Sequence, residues 1–358
     1  MKNKIIYVPF AADILHSGHL NILSEAKKYG DIIVGLLSDK AIIEYKNLPL
    51  ISYDERFKVI SSLKNVKKIV KQDKWDYTDI LNQIKPDYFI HGDDWKKGIQ
   101  KDMRQNVIKV LKKLGSKLIE IPYTPNVSST NIKNSLSQYY TSASRVSLLK
   151  RLIDSKKIVR ILEAHNALTG LIVEEASYKT TDNVKEFDGM WSSSLTDSAS
   201  RGKPDNQSVD FSSRFLGLSD ILDVTKKPVL FDADNGGRIE HISYTVKTLE
   251  RYGVSGLMIE DKVGLKKNSL FKDQTGIKLE KITTFCNKIK AAKEAALSKD
   301  FLIGARIESF IVGNGLSDAI KRAEAYSKAG ADLILIHSKK SKPSEIFAFA
   351  KKFAKSKY

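Results

Sequence analysis

The sequence predicts two consecutive α/β domains: an open, doubly wound parallel sheet, then a (β/α) barrel truncated after six strands. Three observations carry that expectation. Short apolar runs alternate with stretches of helical periodicity along the whole chain. The alternation breaks once, in the serine- and tyrosine-rich stretch 132–147, IKNSLSQYYTSASRVS. Beyond it, six successive apolar runs each close in polar or charged residues, the way barrel strands deliver side chains to a single face.

In the first domain, 4–9, 32–38, 87–90 and 117–121 read as buried strands, with helices near 19–29, 54–63, 77–84 and 100–114. The last of these sets Met103, Val107, Ile108, Leu111 and Leu114 at helical spacing. The boundaries that follow are 1–136 for this domain, 137–147 for a docked connector and 148–358 for the barrel. Barrel strands are expected at 158–163, 187–193, 228–233, 255–260, 301–307 and 331–337. Their ends carry Glu163, Ser193, Asp232 with Asp234, Glu260, Arg306 with Glu308, and His337. A closed barrel of this kind has eight strands. Only six precede the terminal helix PSEIFAFAKKFAKSKY, so a missing C-terminal portion is expected.

Composition excludes several classes. A chain of 358 residues that is 42% hydrophobic and 28% charged is ordered and globular. It has no membrane-length apolar run and no signal-like opening, so a cytoplasmic enzyme with no membrane partner is expected. Cys286 is the only cysteine, which rules out an intrachain disulfide and any multi-cysteine metal site. The +18 charge is not concentrated: 24 basic against 15 acidic residues up to Arg145, and 36 against 27 beyond, give each part +9. With no basic tail or nucleic-acid motif, such a field suits phosphorylated small molecules rather than a specific nucleic acid.

Two stretches carry chemistry. In DILHSGHLNIL, 13–23, His16 and His19 flank Gly18 where a strand gives way to a helix, a place where imidazoles and helix amides meet phosphate. Arg56 lies in the helix YDERFKVI, Asp93 and Asp94 follow a strand in HGDDW, and Ser128, Ser129 and Thr130 sit in VSSTNIK. These motifs, in this order over residues 3–136, resemble the glycerol-3-phosphate-type cytidylyltransferases of the HxGH nucleotidyltransferase superfamily, which have a Rossmann-like fold. The resemblance implies CTP and Mg²⁺, attack of an acceptor phosphate on the α-phosphorus, and release of pyrophosphate. It gives His16 and His19 the transition state and Lys46 and Arg56 the phosphates. Asp93, Asp94 and Trp95 fall to the nucleotide, and Ser128, Ser129 and Thr130 to the β- and γ-phosphates. Phe10-Ala11-Ala12 and Asn131 depart from the family pattern. One lost charged phosphate contact costs about 1.5–3 kcal/mol, or roughly one to two decades in rate.

The second stretch is LFDADNGG, 230–237. Asp232 and Asp234 share a side of a strand, and Glu260 ends the next one. Three converging carboxylates call for a cation, and hard oxygen ligands favour Mg²⁺. Arg306 and His337 follow on the next two strands, and EDKVGLKKNS, 260–269, reads as a lysine-bearing closing loop. Together with AHNALTGLIVEEA, WSSSLTDS, ARIESF and IHSKK, these motifs resemble phosphoenolpyruvate mutase of the isocitrate lyase/mutase superfamily, from about 146 onward. The resemblance implies reversible conversion of phosphoenolpyruvate to phosphonopyruvate. It places Trp191 and Ser193 on the substrate, Asp232, Asp234 and Glu260 at Mg²⁺, and Asp205 nearby. Lys266, Asn268 and Ser269 belong to the loop, while Arg306 and His337 orient the phosphoryl group.

Both resemblances point to phosphonate biosynthesis, with CMP transferred to a phosphonate or phosphate monoester. Small-molecule phosphates and phosphonates are the expected partners, and a homo-oligomer is compatible with the sequence. Phosphonopyruvate hydrolysis in the second domain, or a weakened nucleotide-binding or assembly protein, stand as alternatives.

Overall fold

The computed structural model describes residues 4–96, 100–122, 142–179, 184–264, 266–269 and 276–356. The chain forms two compact units, Met1–Tyr139 with Asp154–Lys156, and Tyr140–Ile153 with Lys157–Tyr358.

In the first unit, β1 (Ile5–Phe10), β2 (Asp31–Leu37), β3 (Val66–Gln72), β4 (Tyr88–Gly92) and β5 (Lys117–Ile121) form one parallel sheet. Its order is β3-β2-β1-β4-β5. Alternation along β1 sends Ile6 and Val8 into a core with Leu23, Val34 and Ile90. Tyr7 goes to the opposite core with Leu81, Phe89 and Trp95. Its hydroxyl donates to Gln72 Oε1 at 2.6 Å. Gly35 makes room for that ring, since a Cβ there would lie 1.8 Å from the phenol oxygen. β3 was not expected from the sequence. Its VKKIVKQ lacks apolar alternation because the strand lies at the sheet edge, where lysines discourage pairing with another chain. The strand order reverses between β1 and β4, and the crevice above their carboxyl ends is where such sheets bind ligands. His16 and His19 follow β1, while Asp93 and Asp94 follow β4.

In the second unit, β6 (Ile161–Glu163), β9 (Gly189–Ser192), β10 (Val229–Asp232), β11 (Gly256–Glu260), β14 (Leu302–Ile307) and β15 (Leu333–Ile336) form a curled parallel half-barrel. All six anticipated strands are present, and their order across the sheet is their order in the chain. Two short antiparallel pairs were not anticipated. These are β7 (Ser177–Lys179) with β8 (Val184–Glu186), and β12 (Lys262–Val263) with β13 (Lys278–Leu279). Phe231, Leu257, Ile259 and Ile303 pack outward against Val246, Phe285, Ile289 and Tyr326 of the covering helices. Inward, Leu230, Met258 and Leu302 close around Leu149. Leu149 lies on the helix Ser142–Ser155, which takes in the last residues assigned to the connector. Arg145 anchors that helix, donating from Nη2 to Leu222 O at 3.0 Å and Thr225 O at 2.7 Å. Among the described residues no helix is long and apolar enough to cross a membrane.

Candidate active sites

At the first site, His16 caps the helix Ser17–Lys27 from an extended backbone conformation. Its Nδ1 accepts from Gly18 N at 3.2 Å, and His19 Nδ1 accepts from His16 N at 3.4 Å. A nitrogen that accepts a backbone N–H cannot carry the ring proton, so in both residues the proton falls on Nε2. The two rings lie 4.0 Å apart, with the Phe10 ring against His19 at 5.0 Å. Burial lowers the His16 pKa. Burial, then His16, then Lys46 push that of His19 down to about 3. The pair is therefore neutral at pH 7, with Nε2–H groups as donors.

Two expected nucleotide-site residues have other roles. Arg56 is 1% exposed, and its guanidinium is taken up by the sheet. Nη1 donates to Ala11 O at 2.6 Å and Leu37 O at 2.8 Å, Nε to Ile51 O at 3.1 Å, and Nη2 to Asp39 Oδ1 at 2.8 Å. Carbonyls at strand exits need donors, and Arg56 supplies them rather than gripping phosphate. Trp95 is a core residue: it stacks on His91 at 4.0 Å and donates from Nε1 to Glu120 Oε1 at 2.7 Å. Hydrogen bonds from Arg104 at 2.9 and 3.0 Å hold the Glu120 carboxyl down at about 2. Asp93 and Asp94 occupy the short 3₁₀ turn Asp93–Lys96 with partly exposed side chains, and Lys46 is exposed near His19. Ser128, Ser129 and Thr130 lie outside the described residues.

At the second site, Asp232 closes β10 and accepts from Ser194 Oγ at 3.0 Å and Asp234 N at 3.0 Å. Burial opposes its ionisation, but Lys266, Arg306 and Arg214 prevail and lower its pKa. Asp234 adopts a left-handed conformation (φ 51°). The Lys266 ammonium lies 2.5 Å from Asp234 Oδ1, 3.0 Å from Asp205 Oδ1 and 4.0 Å from Asp232 Oδ2, and bonds to Ser194 Oγ. Burial disfavours this charge, yet Asp232, Asp234, Glu260 and Asp205 raise its pKa. As the side chains stand, no three His, Cys, Asp or Glu among the described residues surround a common metal position, and Asp205, Asp232 and Asp234 gather on the Lys266 ammonium. The donor set still fits a hard cation. Glu260 Oε2 and Asp205 Oδ1 are buried without a hydrogen bond, each held only by an ion pair, to Arg306 Nη2 at 3.4 Å and to Lys266 Nζ at 3.0 Å. Burial pushes the Glu260 carboxyl up to about 7, despite Arg306 and Lys262.

Next to the carboxylates, Arg306 Nε donates to Glu308 Oε1 at 2.5 Å, and its Nη2 lies 3.2 Å from Ser269 Oγ and 3.4 Å from Glu260 Oε2. His337 Nδ1 is 2.9 Å from Glu308 Oε1. Lys262 Nζ donates to Ser269 Oγ at 2.7 Å, and Ser269 Oγ to Glu308 Oε2 at 2.8 Å. Burial would raise the Glu308 pKa, but His337, Arg306 and Lys262 hold it far below the usual range. Behind this rim, buried Asp261 accepts from Glu308 N at 2.9 Å, Tyr326 OH at 2.8 Å and Arg322 Nη1 at 3.1 Å. Ser193 caps the helix Ser194–Ser200, Trp191 lies on β9, and Asn268 is half-buried beside Ser269. The structure thus brings together Asp205, Asp232, Asp234, Lys266, Ser269, Arg306 and His337. Sequence reasoning did not assign roles to Glu308, Ser194 or Lys262. The Arg306-Ile307-Glu308 spacing was a usable signal, since alternate residues of a strand share a side.

Two units that each present polar side chains at the carboxyl ends of parallel strands define an α/β protein with two candidate strand-end sites. Residues 149–357 match the family model for phosphoenolpyruvate phosphomutase, and residues 11–135 that for cytidylyltransferase-like proteins. The chain belongs to the phosphoenolpyruvate phosphomutase family, with a cytidylyltransferase-like domain ahead of the mutase domain. It is 41% identical to the phosphoenolpyruvate phosphomutase of Tetrahymena pyriformis over 62% of this chain and 71% of that protein. It is 35% identical to the phosphonopyruvate hydrolase of Variovorax sp. over 57% of this chain and 67% of that one. Among solved structures, the phosphoenolpyruvate phosphomutase of Streptomyces platensis subsp. rosaceus superimposes with a TM-score of 0.54 at 35% identity, covering 58% and 69% of the two chains. A phosphonopyruvate hydrolase in complex with oxalate and Mg²⁺ gives 0.51 at 33% identity, covering 60% and 70%.

Proposed function

We propose that the second unit interconverts phosphoenolpyruvate and phosphonopyruvate, and that the first transfers CMP from CTP to a phosphonate or phosphate monoester with release of pyrophosphate. The observation that carries the mutase reading is the Arg306–Glu308–His337 group beside the carboxylates around Lys266. In the mutase reaction the phosphorus–oxygen bond of phosphoenolpyruvate breaks and a phosphorus–carbon bond forms within the same molecule, so no proton is transferred overall. Catalysis then rests on holding two anionic ends in place. Arg306 and His337 would hold the phosphoryl end, Asn268 would receive it in transit, and Trp191 and Ser193 would bound the organic part. Mg²⁺ held by Asp232, Asp234, Glu260 and Asp205 would supply positive charge to the carboxylate end. Hydrolysis is the less favoured reading, since identity to the mutase relative exceeds that to the hydrolase.

In the first unit, His16 and His19 donate from Nε2 to phosphoryl oxygens, with Lys46 adding charge. The acceptor's own oxyanion is the nucleophile, so neutral imidazoles suffice. Phosphorus NMR tests both readings. Phosphonopyruvate with Mg²⁺ yields phosphoenolpyruvate, and CTP with an aminoalkyl- or hydroxyalkylphosphonate yields a CMP-phosphonate and pyrophosphate. Pyruvate and phosphate from the first mixture would replace the mutase reading, and intact CTP across acceptors would remove the second.

A further inference from the structure

The Lys266 side chain is the feature the mutase reading leaves unexplained. Lysine seldom buries its ammonium, yet this residue is only 8% exposed. Its Nζ sits among Asp205, Asp232 and Asp234, with Ser194 Oγ bonded to it. These are the same oxygens that a divalent cation would use. Magnesium binds oxygen at about 2.1 Å, and the ammonium is 2.5 Å from Asp234 Oδ1, so an ion on that oxygen would lie no farther than about 4.6 Å from the ammonium. Two cations that close in a buried site repel strongly. They compete for the same carboxylate oxygens.

We propose that Lys266 is an internal counter-ion that occupies the cation's place in the metal-free protein and is displaced when Mg²⁺ binds. This inference rests on the mutase reading only for the identity of the metal. The ammonium neutralises carboxylates that would otherwise repel one another, which keeps the site assembled without metal. Its departure on metal binding releases a positive charge at the site's mouth just as an anionic substrate needs one. Metal binding therefore precedes productive substrate binding. Affinity for Mg²⁺ is lower than the carboxylates alone would give, because each ion must evict a bonded lysine.

The test uses the full chain, stripped of metal with a chelator, and Mg²⁺ alone as the probe. Calorimetric titration compares the wild type with Lys266→Met. The variant should bind Mg²⁺ at least tenfold more tightly, should melt at a lower temperature without metal, and should recover more of its melting temperature on adding Mg²⁺. Equal or weaker affinity in the variant overturns the proposal. If the variant does not fold even with Mg²⁺, the wild type decides through acylation of Lys266, read by peptide mass spectrometry. Labelling should rise several-fold with saturating Mg²⁺, and unchanged labelling overturns the proposal. None of these readouts involves substrate. Failure of phosphonopyruvate turnover with metal-dependent unmasking of Lys266 intact would thus count against the mutase reading alone.

Discussion

Arg306 Nη2 lies 3.0 Å from His337 Nδ1, although the two residues reach the site from different strands. Both also touch Glu308 Oε1, so one buried carboxylate aligns a guanidinium and an imidazole toward the same space. Lysine cannot reproduce this fork. Arg306→Lys should lower kcat/KM for phosphonopyruvate by about 100-fold or more, equivalent to about 2.7 kcal/mol, while leaving the melting temperature within a few degrees. An assay of phosphoenolpyruvate formation checks this, and near-wild-type turnover would detach Arg306 from the chemistry.

The two roles of His16 can be separated. His16→Ala removes both the helix cap and the Nε2–H donor. His16→Asn keeps a side-chain acceptor for Gly18 N and loses the imidazole donor. Both variants should lose cytidylyl transfer by about 100-fold. Only the alanine variant should also lose about 1 kcal/mol of stability in chemical denaturation.

The pH dependence of the first unit follows from His19. Burial, His16 and Lys46 hold its pKa down at about 3 in the folded protein, against the ordinary imidazole value of 6.5 in the unfolded chain. Between these values the unfolded chain binds the extra proton, so stability is fully present above pH 6.5 and falls as the pH drops toward 3. Melting temperatures from pH 7 down to pH 4 should decline more in the wild type than in His19→Gln.

Arg56 supplies four hydrogen bonds to the strand exits and to Asp39. Arg56→Ala should cost about 3 kcal/mol or more by stranding buried carbonyls, and any loss of transferase activity should track unfolding. By contrast, Asp94→Asn should leave stability unchanged and raise KM for CTP if that residue faces the nucleotide.

Gly256 allows β11 and β14 to pair: a Cβ there would lie 2.5 Å from Leu302 O. Gly256→Ala should destabilise the second unit by about 2–3 kcal/mol in urea denaturation. A neutral result would mean that the two strands can separate without cost.

Strands were legible where apolar runs were continuous, because parallel strands covered on both faces are apolar throughout. That condition holds for Val229–Asp232 and Gly256–Glu260 and fails for β3, where Lys67, Lys68 and Lys71 interrupt the pattern. Asp232 and Arg306 could be found as charged residues ending apolar strands. Arg56 and Trp95 were harder to place, because a sequence shows a polar group but not whether backbone or ligand satisfies it. Lys266 shows the same limit: sequence placed it at the site, and only coordinates put its ammonium among the carboxylates.

Asp261 gives the second site a property that neither Glu260 nor Glu308 has alone. It follows Glu260 directly and grips the backbone of Glu308, so the exits of β11 and β14 are riveted together from behind. The rivet works like a locked caliper, fixing the gap between the carboxylate jaw and the guanidinium jaw.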